Sequence, residues 1–520
     1  VGANQQYVPR QRIGDILREM CIKNRIVTAC ICGLISTLAL GCSRALSGVD
    51  GVAAVPQAPS VPWTPPPRAI KPEPVVIPTA VSGVPPDLVQ HIQQLSLLDV
   101  VDLALRNNPA TRASWAQARV AADVLGSTEG RYYPTVDGSF TASRTRSPAT
   151  TGRPAGERTE YGPQVTLNYL LLDFGGRSGA VESARQRLFA ADLTHNATLQ
   201  NVVLQAEAAY FSYMSTLALR GAERSAIAEA EGNLTSAEQR NKVGLATIAD
   251  VLQARTALSQ EQLNLETIEG NLQAARGSLA SALGLPPNVP FDLQPLATAI
   301  PVGAISQTVD SVINEALRNR PDLAAARAQA SAAAAQIRVA RSAEFPALTL
   351  GSNAGRTYSV PATFSGPSYG LNLGVSIPIF NGFSRQYDLA AARAQADATT
   401  ALADQTRQNV ITQVFVSYYA LQTAEQRVAT ADNLLASALQ SAEVAAGRYR
   451  EGVGSILELL TAQSALANAR AQQVQSRWQW YTSLVQLARD AGVLGTRGQT
   501  PFTFSADSTT PPKLPNVIKP

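Results

Sequence analysis

A chain of 520 residues that is 45% hydrophobic, only 16% charged and close to neutral at +4 has the length of three or so ordinary domains and no basic run of the kind a nucleic acid partner demands. Histidine occurs only as His91 and His195, the latter in a polar stretch of a predicted helix where it reads as a solvated surface residue, and the four cysteines, Cys21, Cys30, Cys32 and Cys42, all sit near the N-terminus. Metal-ligand clusters and Cys/His or Ser/His/Asp catalysis therefore lack raw material over most of the chain, and composition favours an enzyme least.

Residues 1–19 precede Met20 and read as an upstream extension. Residues 20–41 read as a targeting signal: Lys23 and Arg25, an apolar run from Ile26 to Leu40, then Gly41 and Cys42. The run is too short to span a bilayer as a helix and suits a signal-peptide core. Losing the first 41 residues removes five cations (Arg10, Arg12, Arg18, Lys23, Arg25) and two acids (Asp15, Glu19), so +4 becomes +1 for a chain starting at Cys42. Ala39-Leu40-Gly41-Cys42 resembles a bacterial lipobox, with Ala39 where leucine is usual. That resemblance implies acylation of Cys42, palmitate included, and Ser43 in place of an aspartate implies sorting to the outer membrane. Over residues 42–92 the Pro-rich stretch, with Pro65-Pro66-Pro67 at its centre, favours an extended tether or strap over a packed domain. The tail, residues 496–520, is similar. No cofactor other than the lipid is expected.

From residue 93 the chain is written twice. Ala104-Leu105-Arg106-Asn107-Asn108-Pro109 returns as Ala316-Leu317-Arg318-Asn319-Arg320-Pro321, an offset of 212 (321−109), and Tyr133-Pro134 returns as Phe345-Pro346. Later matches keep an offset of 208: Arg177 with Arg385, Tyr210-Phe211 with Tyr418-Tyr419, Gly244 with Gly452, Leu283-Gly284 with Ala491-Gly492. A period this long marks a duplicated half rather than a solenoid unit. The repeats are placed at 93–300 and 301–495.

Each repeat opens with a helical segment, residues 95–130 and 309–343. A pair of short alternating runs follows, in hairpins placed at 134–173 and 346–381. Val165, Leu167, Tyr169 and Leu171 alternate with Gln164, Thr166, Asn168 and Leu170; Tyr369, Leu371, Leu373, Val375 and Ile377 alternate with Gly370, Asn372, Gly374 and Ser376. Period two marks strands with one apolar and one small polar face. In a membrane barrel the apolar face meets lipid and the polar face lines a wet lumen, and strands of about 9 to 11 residues suit a tilted span. Residues 147–162 and 360–367 are then candidate outer loops. Four strands cannot close a barrel, since the smallest have about eight; spanning requires several chains to share one.

Helical tracts without proline follow at 178–242 and 386–450. Beyond a break, Val251, Leu258, Leu265, Leu272 and Leu279 fall at sevens, matched by Leu459, Leu466, Gln473, Trp480 and Leu487. A sustained heptad is a coiled-coil seam. With Ala and Gln diluting it, thin extended helices are expected rather than a thick core.

The breaks near 244 and 452 carry the sharpest local signal. Gly244 and Gly452 suit the left-handed residue that ends a helix. Thr247 with Asp250, and Ser455 with Glu458, suit capping boxes that start the next. Asp250 and Glu458 therefore read either as helix caps or as parts of a docking tip at the end of a rod, and the two readings are compatible.

With duplication, lipobox, paired hairpins, long coiled helices and Gly-centred tips in place, residues 93–495 resemble the outer membrane factor family of tripartite efflux systems, the TolC type, and its NodT-type lipoproteins in particular. The turns Leu172-Asp173-Phe174-Gly175-Gly176-Arg177 and Ile379-Phe380-Asn381-Gly382-Phe383-Ser384-Arg385 are further marks. The resemblance implies a mixed α+β membrane fold: a homotrimer with a twelve-stranded outer-membrane β-barrel continued by a periplasmic α-helical coiled-coil barrel. It further implies adaptor-docking tips at Gly244, Thr247, Asp250, Gly452, Ser455 and Glu458, with Glu458 a gate acid. Thr461 stands where some members carry a second carboxylate, and Gly454 where some carry an arginine. A passive exit duct for small molecules such as drugs is implied, its partners a membrane-fusion adaptor, an inner-membrane transporter of RND type and outer-membrane lipid. Protein secretion or metal export are alternatives within that class, and a periplasmic structural or adhesive coiled-coil lipoprotein outside it.

Overall fold

The computed structural model describes residues 58–61, 94–148, 156–285, 291–294, 306–360 and 365–494; the signal, Cys42 and the C-terminal tail lie outside them. In chain order the elements are α1 (Leu97–Asn107), α2 (Pro109–Glu129), β1 (Thr135–Ser147), β2 (Gly156–Leu172), α3 (Gly176–Lys242), α4 (Ile248–Ala282), α5 (Val309–Asn319), α6 (Pro321–Ser342), β3 (Ala347–Val360), β4 (Ser365–Ser376), α7 (Ser384–Arg450) and α8 (Ile456–Asp490). The sequence of types repeats, helix-helix-strand-strand-helix-helix, as the duplication requires.

The opening segment of each repeat is two helices, not the one helix expected over 95–130 and 309–343. Asn108 and Arg320 leave the helical region, with ψ of 127° and 118°. A proline forces its predecessor into extended backbone and then serves as the first residue of the next helix. Asn108 completes the joint by accepting a hydrogen bond from the Ala110 N–H at 2.9 Å.

These joints receive the ends of the returning helices. Gly284 (φ +68°) closes α4 against the α1–α2 joint, where a Cβ would lie 2.7 Å from the Asn107 carbonyl oxygen; Gly492 (φ +76°) closes α8 against the α5–α6 joint, where one would lie 2.9 Å from the Arg320 nitrogen. The repeated Leu-Gly and Ala-Gly motifs are thus the two halves' shared means of folding back. In the second half Arg320 is buried and forks onto Asp322 at 3.0 and 2.5 Å, donates to Gln413 at 2.6 Å, and approaches Asp490 at 3.7 Å. A cation buried this deeply persists only when so surrounded.

The main apolar core forms here, where α1 and α5 pack against the middles of α3 and α7 and the ends of α4 and α8. Tyr210, Trp480, Leu103 and Leu279 are fully buried in it, each such side chain contributing roughly 1.5–3 kcal/mol. It is thicker than the dilute heptads suggest. The matched tyrosines tie down the connection between halves: Tyr210 donates to the Gln294 carbonyl at 2.9 Å and Tyr418 to the Gln307 carbonyl at 3.0 Å.

The strands form one antiparallel sheet in the order β1-β2-β3-β4. The helices continue that order, α2 beside α3, α3 beside α6, α6 beside α7; past the core, α4 lies on α3 and α8 lies between α3 and α7. With 67 residues each, α3 and α7 run about 100 Å and carry the sheet at one end and the tips at the other. No helix among the described residues is long and apolar enough to cross a membrane.

Candidate functional site: an exposed apolar sheet and two joined tips

Register assigns the faces of the sheet. Val136 pairs with Leu167, Tyr169 with Leu350, Leu350 with Leu373 and Leu348 with Val375, so residues of all four strands share one apolar face. That face is open: Phe140 is 68% exposed, Leu371 77% and Tyr369 91%. The opposite face presents Asp137, Thr166, Asn168, Asn353 and Asn372. A continuous apolar face of this size that covers no core must meet lipid or another chain.

Aromatic rings bracket the apolar band. Tyr161 stacks on Tyr358 at 5.4 Å toward the hairpin ends, and Phe174 stacks on Phe345 at 5.4 Å where the strands meet the helices. Aromatic girdles mark the two water interfaces of membrane barrels. The strands overrun the expected 9 to 11 residues, reaching 13, 17, 14 and 12. The loops correspondingly shrink, with β2 already begun at Gly156 and β4 at Ser365. The overrun is charged, Arg144 pairing with Glu157 at 2.5 Å and Arg158 with Glu160 at 2.6 Å: backbone pairing continues past the apolar band into water.

At the helix end the turns are strained in matched fashion. Phe174 (φ 48°) and Phe383 (φ 65°) are the two non-glycine residues with positive φ among those described. Asp173 holds the first turn, accepting from the Arg177 N–H at 2.6 Å, while Arg177 lies 4.9 Å from the Tyr132 ring centre.

At the far end each long helix closes through a left-handed glycine, Gly244 (φ +77°) and Gly452 (φ +79°). The Leu245 N–H donates back to the Arg240 carbonyl at 2.8 Å, and the Val453 N–H to the Arg448 carbonyl at 3.0 Å. The first tip then has a complete capping box: the Asp250 N–H donates to Thr247 Oγ1 at 3.2 Å and the Thr247 N–H to Asp250 Oδ2 at 2.8 Å. The second has half of one. Ser455 Oγ accepts from the Glu458 N–H at 3.1 Å, but the Glu458 carboxylate turns to Arg448 Nε at 3.2 Å instead of returning to Ser455. Gly454 leaves room for this, since a Cβ there would sit 2.9 Å from the Arg448 Cβ.

The tips are also joined to each other, which the sequence did not reveal. Arg240 Nη1 donates to the carbonyls of Tyr449 at 2.9 Å and Arg450 at 3.2 Å, and its guanidinium lies 4.9 Å from the Tyr449 ring centre. Burial raises the Tyr449 pKa, Arg240 pulls it down, and Asp250 adds a smaller upward push. Higher up, α3 is joined to α8 as well: Arg470 pairs with Glu229 at 2.8 Å and Asn233 bonds Gln463. Arg240 and Arg448 are equivalent by the repeat yet differ in role. The available signal was that Tyr449 stands where the first copy has Asn241, whose amide merely closes its own turn on the Ala246 carbonyl at 2.9 Å.

His195, expected on a solvated surface, is fully buried; its Nδ1 sits 2.8 Å from Ser114 Oγ on α2. The polar surroundings in sequence misled because α2 covers that face of α3. Asp192, one turn earlier, is also fully buried, with neither carboxyl oxygen partnered. Among the described residues no group of three or more His, Cys, Asp or Glu is placed to hold a metal.

The family model described as outer membrane efflux protein matches residues 100–285 and 312–493. Protein CyaE of Bordetella pertussis is 31% identical over 423 residues, covering 80% of this chain and 88% of that one. A probable efflux pump outer membrane protein, TtgC of Pseudomonas putida, is 27% identical over 413 residues, covering 78% and 82%. Among solved structures, the outer membrane protein VceC of Vibrio cholerae superposes with a TM-score of 0.68 at 20% identity, covering 76% of this chain and 96% of that one.

Proposed function

For this chain, which belongs to the outer membrane efflux protein family, we propose the role of a passive exit duct that spans the outer membrane and conducts small molecules out of the cell without chemistry of its own. The observation that carries this reading is the sheet: four strands with one face apolar and open from edge to edge. Such a sheet is complete only when its edges meet those of other copies. Three copies give twelve strands, and the polar face of Asn168 and Asn372 then lines the conduit.

The long helices extend this conduit about 100 Å from the barrel, and in this reading the tips stand at its periplasmic mouth. There Gly244, Thr247, Asp250, Gly452, Ser455 and Glu458 form compact turns that leave Val243, Leu245 and Val453 exposed and suit the hairpin of an adaptor protein, itself coupled to an energised inner-membrane transporter, of RND type in this reading. Glu458, held by Arg448 and not by its own helix end, is the gate acid. Cys42 carries the lipid anchor and supplements a barrel that is held in the bilayer by its strands.

Native mass spectrometry of the detergent-extracted protein tests the assembly: a trimer is expected, and a stable monomer overturns the duct. Cys42→Ala behind a substitute signal peptide tests the span. That protein should still fractionate with the outer membrane; recovery as a soluble periplasmic rod favours the adhesive lipoprotein instead.

A further inference from the structure

A cavity of about 570 Å³ opens where the sheet passes into the helices, lined by Glu129, Tyr132 and Tyr133 at the end of α2, by Glu182 and Arg185 on α3 and by Arg338 on α6. That volume lies within the range of small-ligand sites. The helices converge because α3 lacks side chains where it meets α6: a Cβ on Gly176 would lie 2.6 Å from Ser342 Oγ, and one on Gly179 3.1 Å from the Arg338 Cβ. Arg338 is thereby set beside the first turns of α3. Charge of both signs is present and only partly paired. Arg185 pairs with Glu182 at 2.8 Å and lies 3.9 Å from Glu129, while Arg338 is exposed and makes no ion pair among the described residues.

The cavity faces the outside of the helical wall. Val181, Leu188, His195 and Val202 fall at sevens along α3 and are all buried, so the helix packs with that period. Glu182 and Tyr210 are related by the same period and share a face. Tyr210 lies in the core with α1 residues and bonds the Gln294 carbonyl, an extra layer that a conduit with an open lumen carries on its exterior. The depth also fits a membrane surface. Tyr132 and Tyr133 stand just before β1, 41% and 73% exposed, at the junction that the Phe174–Phe345 stack marks, and tyrosines favour that interface. Arg185 is nine residues past Gly176, about 14 Å along the helix, and helical side chains lean toward the N-terminus, here toward the sheet. Headgroups fill roughly the first 5–8 Å beyond the hydrocarbon, within reach of a long side chain that leans back.

Building on the spanning role of the sheet, we propose that this cavity holds the headgroup of a phosphoethanolamine lipid of the periplasmic leaflet. Its phosphate sits on Arg185 and Arg338, its ammonium on Glu129 and Glu182, and its glycerol backbone against Tyr132 and Tyr133. Two guanidiniums against two carboxylates make a neutral lining, which suits a zwitterion better than a purely anionic headgroup. A primary ammonium has three N–H donors to share between two carboxylates; a quaternary one has none. The second repeat has Ala390 in place of Glu182 (182+208), and the first has Gly126 in place of Arg338 (338−212), so each chain holds one such site.

Delipidated oligomer in detergent, titrated with dioleoyl phosphatidylethanolamine, phosphatidylglycerol or phosphatidylcholine and read by native mass spectrometry, tests the site. One phosphatidylethanolamine per subunit should survive activation that strips the other two. Arg185→Gln with Arg338→Gln, both exposed positions, should cut its retention several-fold, and Glu129→Gln with Glu182→Gln should turn the preference toward phosphatidylglycerol. Glycerophosphoethanolamine, the headgroup without chains, should compete only weakly. Equal retention of the three lipids by the wild type, undiminished retention after the arginine changes, or a free headgroup that binds as tightly as the lipid overturns the site. An inserted, conducting oligomer that retains no such lipid refutes the site and spares the duct; a chain that never inserts refutes both.

Discussion

Arg240, at the end of the first long helix, donates to the carbonyl of Tyr449 at the end of the second and lies 4.9 Å from that tyrosine's ring centre. The last carbonyls of a helix lack intrahelical donors and carry the negative end of its dipole, so a guanidinium from the neighbouring hairpin satisfies α7 where it ends. The two tips of one chain are thereby fastened into one unit, and opening the conduit by moving one tip outward must break or carry this contact.

Arg240→Ala should therefore ease opening. A charge-assisted hydrogen bond and a partly exposed cation–π contact are together worth about 1–3 kcal/mol, enough to shift a closed-to-open balance by an order of magnitude. Larger single-channel conductance in planar bilayers and greater antibiotic leak in cells are expected. Arg240→Lys, which keeps the charge and loses the fork, should fall between. Wild-type conductance in both variants would confine Arg240 to helix capping.

Glu458→Gln separates gate from cap more cleanly than Asp250→Asn, because the Asp250 carboxylate closes its capping box and the Glu458 carboxylate does not. The Arg448–Glu458 pair is half-exposed on both sides, so its loss should cost less than about 1 kcal/mol and leave the trimer's thermal stability unchanged. Conductance or cation selectivity should shift as the charge is removed. Matching channel records across pH and salt would move the gate elsewhere along the inner helices.

On the sheet, Leu373 and Asn372 are neighbours on opposite faces, paired with Leu350 and Gly351. Leu373→Arg should destabilise the barrel by about 2–4 kcal/mol near the bilayer centre, whereas Asn372→Arg should be tolerated in a wet lumen. Heat-modifiability on gels and urea unfolding in liposomes read the difference. Equal tolerance would mean that the apolar face does not meet lipid.

The features legible in sequence are those whose physical cause is periodic or local. Alternation at Leu371, Leu373 and Val375 expresses directly a sheet with lipid on one side and water on the other, and a left-handed glycine after a long helix marks a tip wherever it occurs. Asn108–Pro109 is legible too, since a proline extends its predecessor and starts the next helix, which makes the pair a boundary. The hidden features depend on contacts between distant segments. Arg240 meets Tyr449 across 209 residues, and His195 is covered by Ser114 on another helix; no period in the sequence encodes either. Full strand length is hidden because the pattern reports the lipid-facing band while backbone pairing runs beyond it.

Asp192 gives the molecule a pH signature. With no hydrogen bond to either carboxyl oxygen, burial pushes its pKa up to about 8, and Glu207 and Glu223 are pushed up to about 7, in each case mainly by burial. A carboxyl whose folded pKa exceeds its unfolded value binds more protons when folded, so its stabilisation is full below the unfolded value and is lost as pH rises to the folded one. His195 works in the opposite sense: burial lowers its pKa, so its contribution is present above about 6.5 and fades as pH falls through the folded value. At pH 7 the two glutamates are about half ionised and still contribute to the slope; near pH 8 they have largely titrated and the imidazole is neutral, which leaves Asp192 as the principal source of slope among these four. Stability there should fall with rising pH by up to about 1.4 kcal/mol per unit. Asp192→Asn, which cannot ionise, should flatten that slope even if the buried amide lowers stability uniformly. Trimer melting midpoints from pH 6.5 to 8.5 decide the matter, since parallel curves for wild type and variant would mean that Asp192 is solvated in the assembled protein.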